Sequence, residues 1–128
     1  MITEDYVSFE TAKLLKEKGF DELCNMGYDE KEQLIPLANW RNTALDKFEG
    51  VSAKVTVPTL QTAMKWLREI HNLYIEVSLN CDRENKNAKI FDASIFNLQN
   101  QRYKKLSNIQ GYEEACEVSI KYCLENLI

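Results

Sequence analysis

Histidine is almost missing from this chain: His71 is the only one. The four cysteines, Cys24, Cys81, Cys116 and Cys123, form no C-x-x-C pair, and none lies close to His71 in sequence. A structural zinc site draws on closely spaced Cys or His ligands, so no metal is expected. Reduced, partly buried thiols are expected instead. Glycine is scarce, with four residues, and neither a G-x-G-x-x-G nor a P-loop occurs. Phosphate cradles of those kinds are therefore excluded, and no cofactor is expected. No apolar run approaches the roughly 20 residues needed to cross a bilayer. A basic excess is missing too, since the net charge is −4. Duplex-binding domains cluster positive charge against phosphates, so the overall balance speaks against one but leaves room for a local patch. The first residues, MITEDYVSFE, lack the basic start and apolar stretch of a secretory signal. A cytoplasmic protein with no membrane contact is expected.

What is present is an ordinary globular composition. The chain has 128 residues, 45% hydrophobic and 28% charged. That length suits a single domain spanning residues 1–128, large enough to bury a core without metal or disulfide support.

The elements follow from local signals. Ser8 is placed as a helix N-cap, with Val7 and Ala12 as a hydrophobic staple. The helix runs from about Phe9 to Lys18. Gly19 takes the left-handed position after it, and Phe20 folds back on Leu15 in a Schellman ending. Leu23–Tyr28 and Gln33–Leu37 flank the polar run DEKE and predict a hairpin. Pro36 puts the second strand at an edge. Residues 38–52 are the least legible: Trp40, Ala44 and Phe48 recur at helical spacing, and a loop fits equally well. Ala53–Val57 alternates as a short strand.

The stretch VPTLQTAMKWLREIHNLYIEVSL carries the clearest signal. Pro58 belongs at a helix start and Thr59 is placed as its N-cap. On a helical wheel, Leu60, Ala63, Met64, Trp66, Leu67 and Ile70 share one side, with Gln61, Thr62, Lys65, Arg68 and Glu69 opposite. Asn72 suits a left-handed stop. The period then changes from 3.6 to 2: Leu73, Ile75, Val77 and Leu79 alternate with Tyr74, Glu76 and Ser78. CDRENKN is a turn and Ala88–Phe96 completes a second hairpin. A last helix runs from about Tyr112 to Leu127, with Glu113, Glu114 and Glu117 at its dipole-favoured end. The expected fold is α+β: three main helices and a four- or five-stranded, mostly antiparallel sheet, in the order helix, hairpin, optional strand, helix, hairpin, helix.

Four groups of residues are candidates for function. His71 lies at a helix C-terminus, where the dipole favours its cation. It is either a structural cap or, with Cys81 or Glu76, a catalytic base. Arg102, Lys104 and Lys105 with Tyr103 sit in NLQNQRYKKLSN, which has no acidic residue; cations beside an aromatic ring can hold a single strand, and a solvated loop is the plain alternative. The last helix has a narrow polar arc, so Val118, Tyr122, Leu124 and Leu127 are candidates for a partner interface. Cys116 and Cys123, with Ser119 between them, read as a small-residue stripe rather than reactive thiols, because the nearby charges are glutamates.

SFETAKLLKEKGF, PTLQTAMKWLREIHNLYI and GYEEACEVSIKYCLENLI together resemble a group of small uncharacterised proteins found in Bacteroidetes and in their phages and mobile elements. That resemblance implies a genomic setting and supports the helix–strand order, and it carries over no catalytic residue. Gly111 departs from the pattern, standing where Ser, Thr or Asp is the usual cap. The leading expectation is a non-enzymatic accessory protein that binds another protein, or itself as a homo-oligomer. The alternative is nucleic-acid binding through residues 102–105, and a third reading is a small enzyme using His71.

Overall fold

The computed structural model describes residues 2–80 and 89–128, in which the chain forms two compact units, Met1–Gln61 and Thr62–Ile128. The class is α+β, with four helices and six strands among the described residues. The strands form two three-stranded antiparallel sheets rather than one larger sheet. One helix and one strand, both with weak local signals, add to the expected set of elements.

In the first unit, α1 is Phe9–Glu17. Ser8 caps it, its side-chain oxygen accepting the Thr11 N–H, and Val7 and Ala12 are both fully buried. At the other end Phe20 N–H donates to the Leu15 carbonyl (2.9 Å) and Gly19 N–H to that of Lys16 (3.1 Å). These are the two bonds of a Schellman ending, with Gly19 at φ +93°. The hairpin is β1 (Cys24–Asp29) and β2 (Leu34–Trp40). The Asp29 carboxylate closes its turn by accepting the Lys31 and Gln33 N–H groups. β2 is an edge strand, as Pro36 requires, and β1 lies between it and β3 (Ala53–Thr56).

The stretch that the sequence left open is divided between two elements. Trp40 ends β2, and α2 is only Asn42–Lys47. The helical spacing of Trp40, Ala44 and Phe48 is thus not one helix face. Trp40 and Phe48 instead meet edge to face, ring centroids 5.5 Å apart, across the short helix. Asn42 is buried and joins three segments: its side-chain amide donates to the Phe20 carbonyl and accepts the Thr56 N–H, both at 2.9 Å.

The boundary between the units falls in the first turn of α3 (Leu60–His71). Ala63, Met64, Trp66 and Leu67 are buried as the wheel requires, but Ile70 is 57% exposed. It lies in the last turn, where the apolar stripe outruns its cover. Asn72 stops the helix at φ +56°. In the second unit, β4 (Leu73–Leu79), β5 (Ile90–Asn97) and β6 (Tyr103–Gln110) form the second sheet in that order. Leu73 and Ile75 are buried, whereas Leu79 at the strand's far end is 57% exposed. The CDRENKN turn and Cys81 lie outside the described residues.

β6 occupies the end of the Asn/Gln-rich segment 97–110, to which the sequence assigns no element and for which a solvated loop is the plain alternative to a binding site. Its strand pattern is masked by a bulge: Phe91 pairs with Ile109 and Ala93 with Leu106, leaving an extra residue on β6. Asn108 sits in that bulge at φ +60°, and its N–H donates to the Asp92 carboxylate (3.1 Å). α4 (Tyr112–Asn126) packs over all three strands of this sheet.

Gly111 precedes α4 at φ +100° and ψ 143°, with no side-chain cap. Only glycine adopts that backbone freely, which is why a Ser, Thr or Asp cap is missing. A Cβ added there would meet nothing within 4 Å, so the cost of a substitution is conformational, not steric. Gly111→Ala is expected to lower stability by about 1–3 kcal/mol in urea denaturation. A change below the error of the measurement would show that the turn relaxes without strain.

Candidate functional site

Directly paired residues of an antiparallel sheet project to the same face. On β5, Ala93 and Ile95 are buried, so their β6 partners Leu106 and Lys104 point to the same side as the core. α4 covers that side. Because β6 is the outermost strand, its residues on this face are only partly covered by the helix. A shallow groove of about 530 Å³ is left between them.

Lys104, Leu106 and Ile109 line the groove from β6, and Val118 and Tyr122 line it from α4. Lys105, Ser107, Lys121 and Glu125 complete its border. The Lys104 ammonium lies 5.9 Å from the centre of the Tyr122 ring, within reach of a cation–π contact. The groove therefore has an apolar floor and two lysines, Lys104 and Lys121, against one glutamate, since Lys105 borders it but belongs by register to the other face of the sheet. The charge of the chain is unevenly divided as well. Residues 62–128 hold nine basic and nine acidic residues, so the excess of −4 resides wholly in residues 1–61.

Two candidate groups that the sequence kept separate meet here. Lys104 and Lys105 from the cationic segment and Val118 and Tyr122 from the last helix are neighbours in space. Arg102 and Tyr103 are not part of the groove: Arg102 precedes β6, and Tyr103 pairs with Phe96 on the opposite face. Leu124 is fully buried and cannot belong to an interface, and Leu127 is 39% exposed but outside the groove. The narrow polar arc of the last helix calls for more than one neighbour or for a partner chain, and three strands of its own sheet supply the neighbours. Ala115, Cys116, Ser119, Ile120, Cys123 and Leu124 are all fully buried. Sequence counted the apolar arc but not the width of the sheet beneath it.

The buried cysteines behave as packing residues. Burial pushes the Cys123 thiol up to about 12. Burial also raises that of Cys116; a hydrogen bond with Tyr112 works against the rise, while Glu113 and Glu117 add to it. Neither supplies a thiolate near neutral pH.

His71 is half-buried, and its ring meets that of Trp66 edge to face at 4.7 Å. Its Nε2 is buried without a hydrogen-bond partner among the described residues, so no carboxylate is bonded to that nitrogen there. Cys81 lies outside the described residues. The expected dipole stabilisation of the cation is outweighed, since burial lowers the His71 pKa below its usual 6.5. The unfolded chain takes up this proton first, so His71 favours the fold above pH 6.5 and loses that contribution as pH falls below it. The urea midpoint is expected to drop between pH 7 and pH 5, and His71→Gln to flatten that part of the profile. An identical drop in the variant would assign it to other groups.

Among the described residues no group of three or more His, Cys, Asp or Glu side chains could hold a metal ion, and no helix is long and apolar enough to cross a membrane. Comparison with protein-family models, curated proteins and solved structures gives no match.

Proposed function

We propose that this chain is a non-enzymatic protein-binding module, an accessory protein of a phage or mobile element, which holds an acidic and apolar segment of a partner protein in the groove between β6 and α4. The convergence of Lys104, Val118 and Tyr122 on one open groove carries this reading. The lysines complement carboxylates, and the floor of Leu106, Ile109, Val118 and Tyr122 accepts apolar side chains. The genomic setting rests on the sequence resemblance alone. A second copy of the chain is the less favoured occupant, because the buried face of α4 no longer demands one.

Panning a random peptide library against the protein tests the proposal. The enriched peptides are expected to combine Asp or Glu with apolar residues. Lys104→Glu combined with Tyr122→Ala is expected to weaken them about tenfold or more, while Leu127→Ala leaves them unchanged. Peptides without acidic bias, or affinity that survives the double substitution, would reject the groove. Light scattering over a range of concentrations decides the occupant: a dimer abolished by Lys104→Glu would make it a second copy.

A further inference from the structure

The sheet face turned away from α4 carries a different chemistry. Tyr74 on β4 pairs with Phe96 on β5, which pairs with Tyr103 on β6, so three aromatic rings form one row across the sheet. The centroids of Tyr74 and Phe96 are 6.5 Å apart and those of Phe96 and Tyr103 are 5.9 Å apart, the latter pair near-parallel at 29°. The row is open to solvent: Tyr74 is 40% and Tyr103 68% exposed. Lys105 stands in the next row of the same face, and Arg102, exposed just before β6 begins, lies at the end of the row without being assigned to either face by the pairing. Among the described residues the acids on this face are Glu76, in the Lys105 row, and Asp92, 4.0 Å from Lys105 at the limit of an ion pair.

We propose that this face binds single-stranded nucleic acid, with bases stacked on the Tyr74–Phe96–Tyr103 row and phosphates held by Arg102 and Lys105. Flat rings side by side on a rigid sheet suit bases that are already unstacked, and a duplex does not offer them. With so few cations, stacking supplies more of the affinity than charge does. The aromatic row lies on the opposite face of the sheet from the groove, and of its residues and cations only Lys105 also borders the groove.

The test is fluorescence anisotropy of labelled oligothymidylate and oligouridylate strands of about ten nucleotides with the whole chain at low salt. Saturable binding is expected. Its salt dependence should be shallow, with a log–log slope of roughly −1 to −2 for two phosphate contacts. Tyr103→Ala and Tyr74→Ala should each weaken binding about tenfold, whereas Tyr103→Phe keeps it. Far-ultraviolet circular dichroism should show each variant folded, as expected for side chains this exposed. No saturable binding to either strand would overturn the proposal, as would alanine variants that bind like the parent. Equal affinity for duplex DNA, or displacement of the strand by polyglutamate as readily as by unlabelled oligonucleotide, would also overturn it, because either result reports charge or a peptide site instead of stacking.

Discussion

Phe20→Ala is expected to lower the stability of the protein by about 3–5 kcal/mol, the usual cost of deleting a buried aromatic side chain. Phe20 is 1% exposed and among the largest fully buried side chains of the chain. It also stands at a junction. Its N–H closes the α1 ending on the Leu15 carbonyl, and its own carbonyl accepts the Asn42 amide. Removing the ring opens a cavity beside two backbone bonds that depend on its position. Such a loss is a large part of the stability of an ordinary domain. Urea denaturation measures it, and Phe48→Ala is the matched control. Phe48 is 60% exposed, so its loss is expected to cost less than about 1 kcal/mol. Equal effects of the two substitutions would show that burial of Phe20 is not what stabilises this corner.

Asn42→Leu is expected to cost roughly 2–4 kcal/mol, although it puts an apolar side chain of similar size into a buried place. The substitution orphans two backbone groups at once, the Phe20 carbonyl and the Thr56 N–H. Each unsatisfied buried group costs about 1–3 kcal/mol, which the added apolar surface offsets only in part. Asn42→Asp separates the two bonds. The carboxylate still accepts the Thr56 N–H but cannot donate to Phe20, and it places a charge where Asn42 is 4% exposed. It should therefore destabilise at neutral pH and recover in part as the carboxyl takes up a proton. If leucine is tolerated within about 0.5 kcal/mol, water reaches the two orphaned groups and Asn42 is not a structural tie.

Phe20 and Asn42 also divide what could be read locally from what could not. The α1 cap at Ser8, the left-handed Gly19 and the return of Phe20 are encoded within thirteen residues. So are the turn at Asp29 and the change of period across His71 and Asn72. In each case the partners lie within a few positions of one another, so the sequence shows both ends of the interaction. Asn42 reads as an ordinary polar residue of an illegible stretch. Its importance comes from Phe20 and Thr56, which lie 22 and 14 positions away.

The same distinction governs the candidate sites. The lysines at 104 and 105, Tyr103, Val118 and Tyr122 were all legible as chemistry. Their sorting was not. The pairing of β5 with β6 places Lys104 on the α4 face and Tyr103 on the other, and a shift of one residue would exchange them. β6 itself was hidden because an edge strand buries little and its bulge breaks the alternation that marks a strand. Periodicity found the apolar sides of α3 and α4 but not the limits of their cover, which is why Ile70 is exposed and Leu124 buried. Sequence alone determined the α+β class and the start and stop of most elements, since those depend on backbone preferences and neighbours in the chain. Tertiary structure decided that there are two sheets, that lysines and apolar helix residues share a groove, and that three aromatic rings form a row. Strand register and helix packing join residues far apart in the chain, and no local pattern records that pairing.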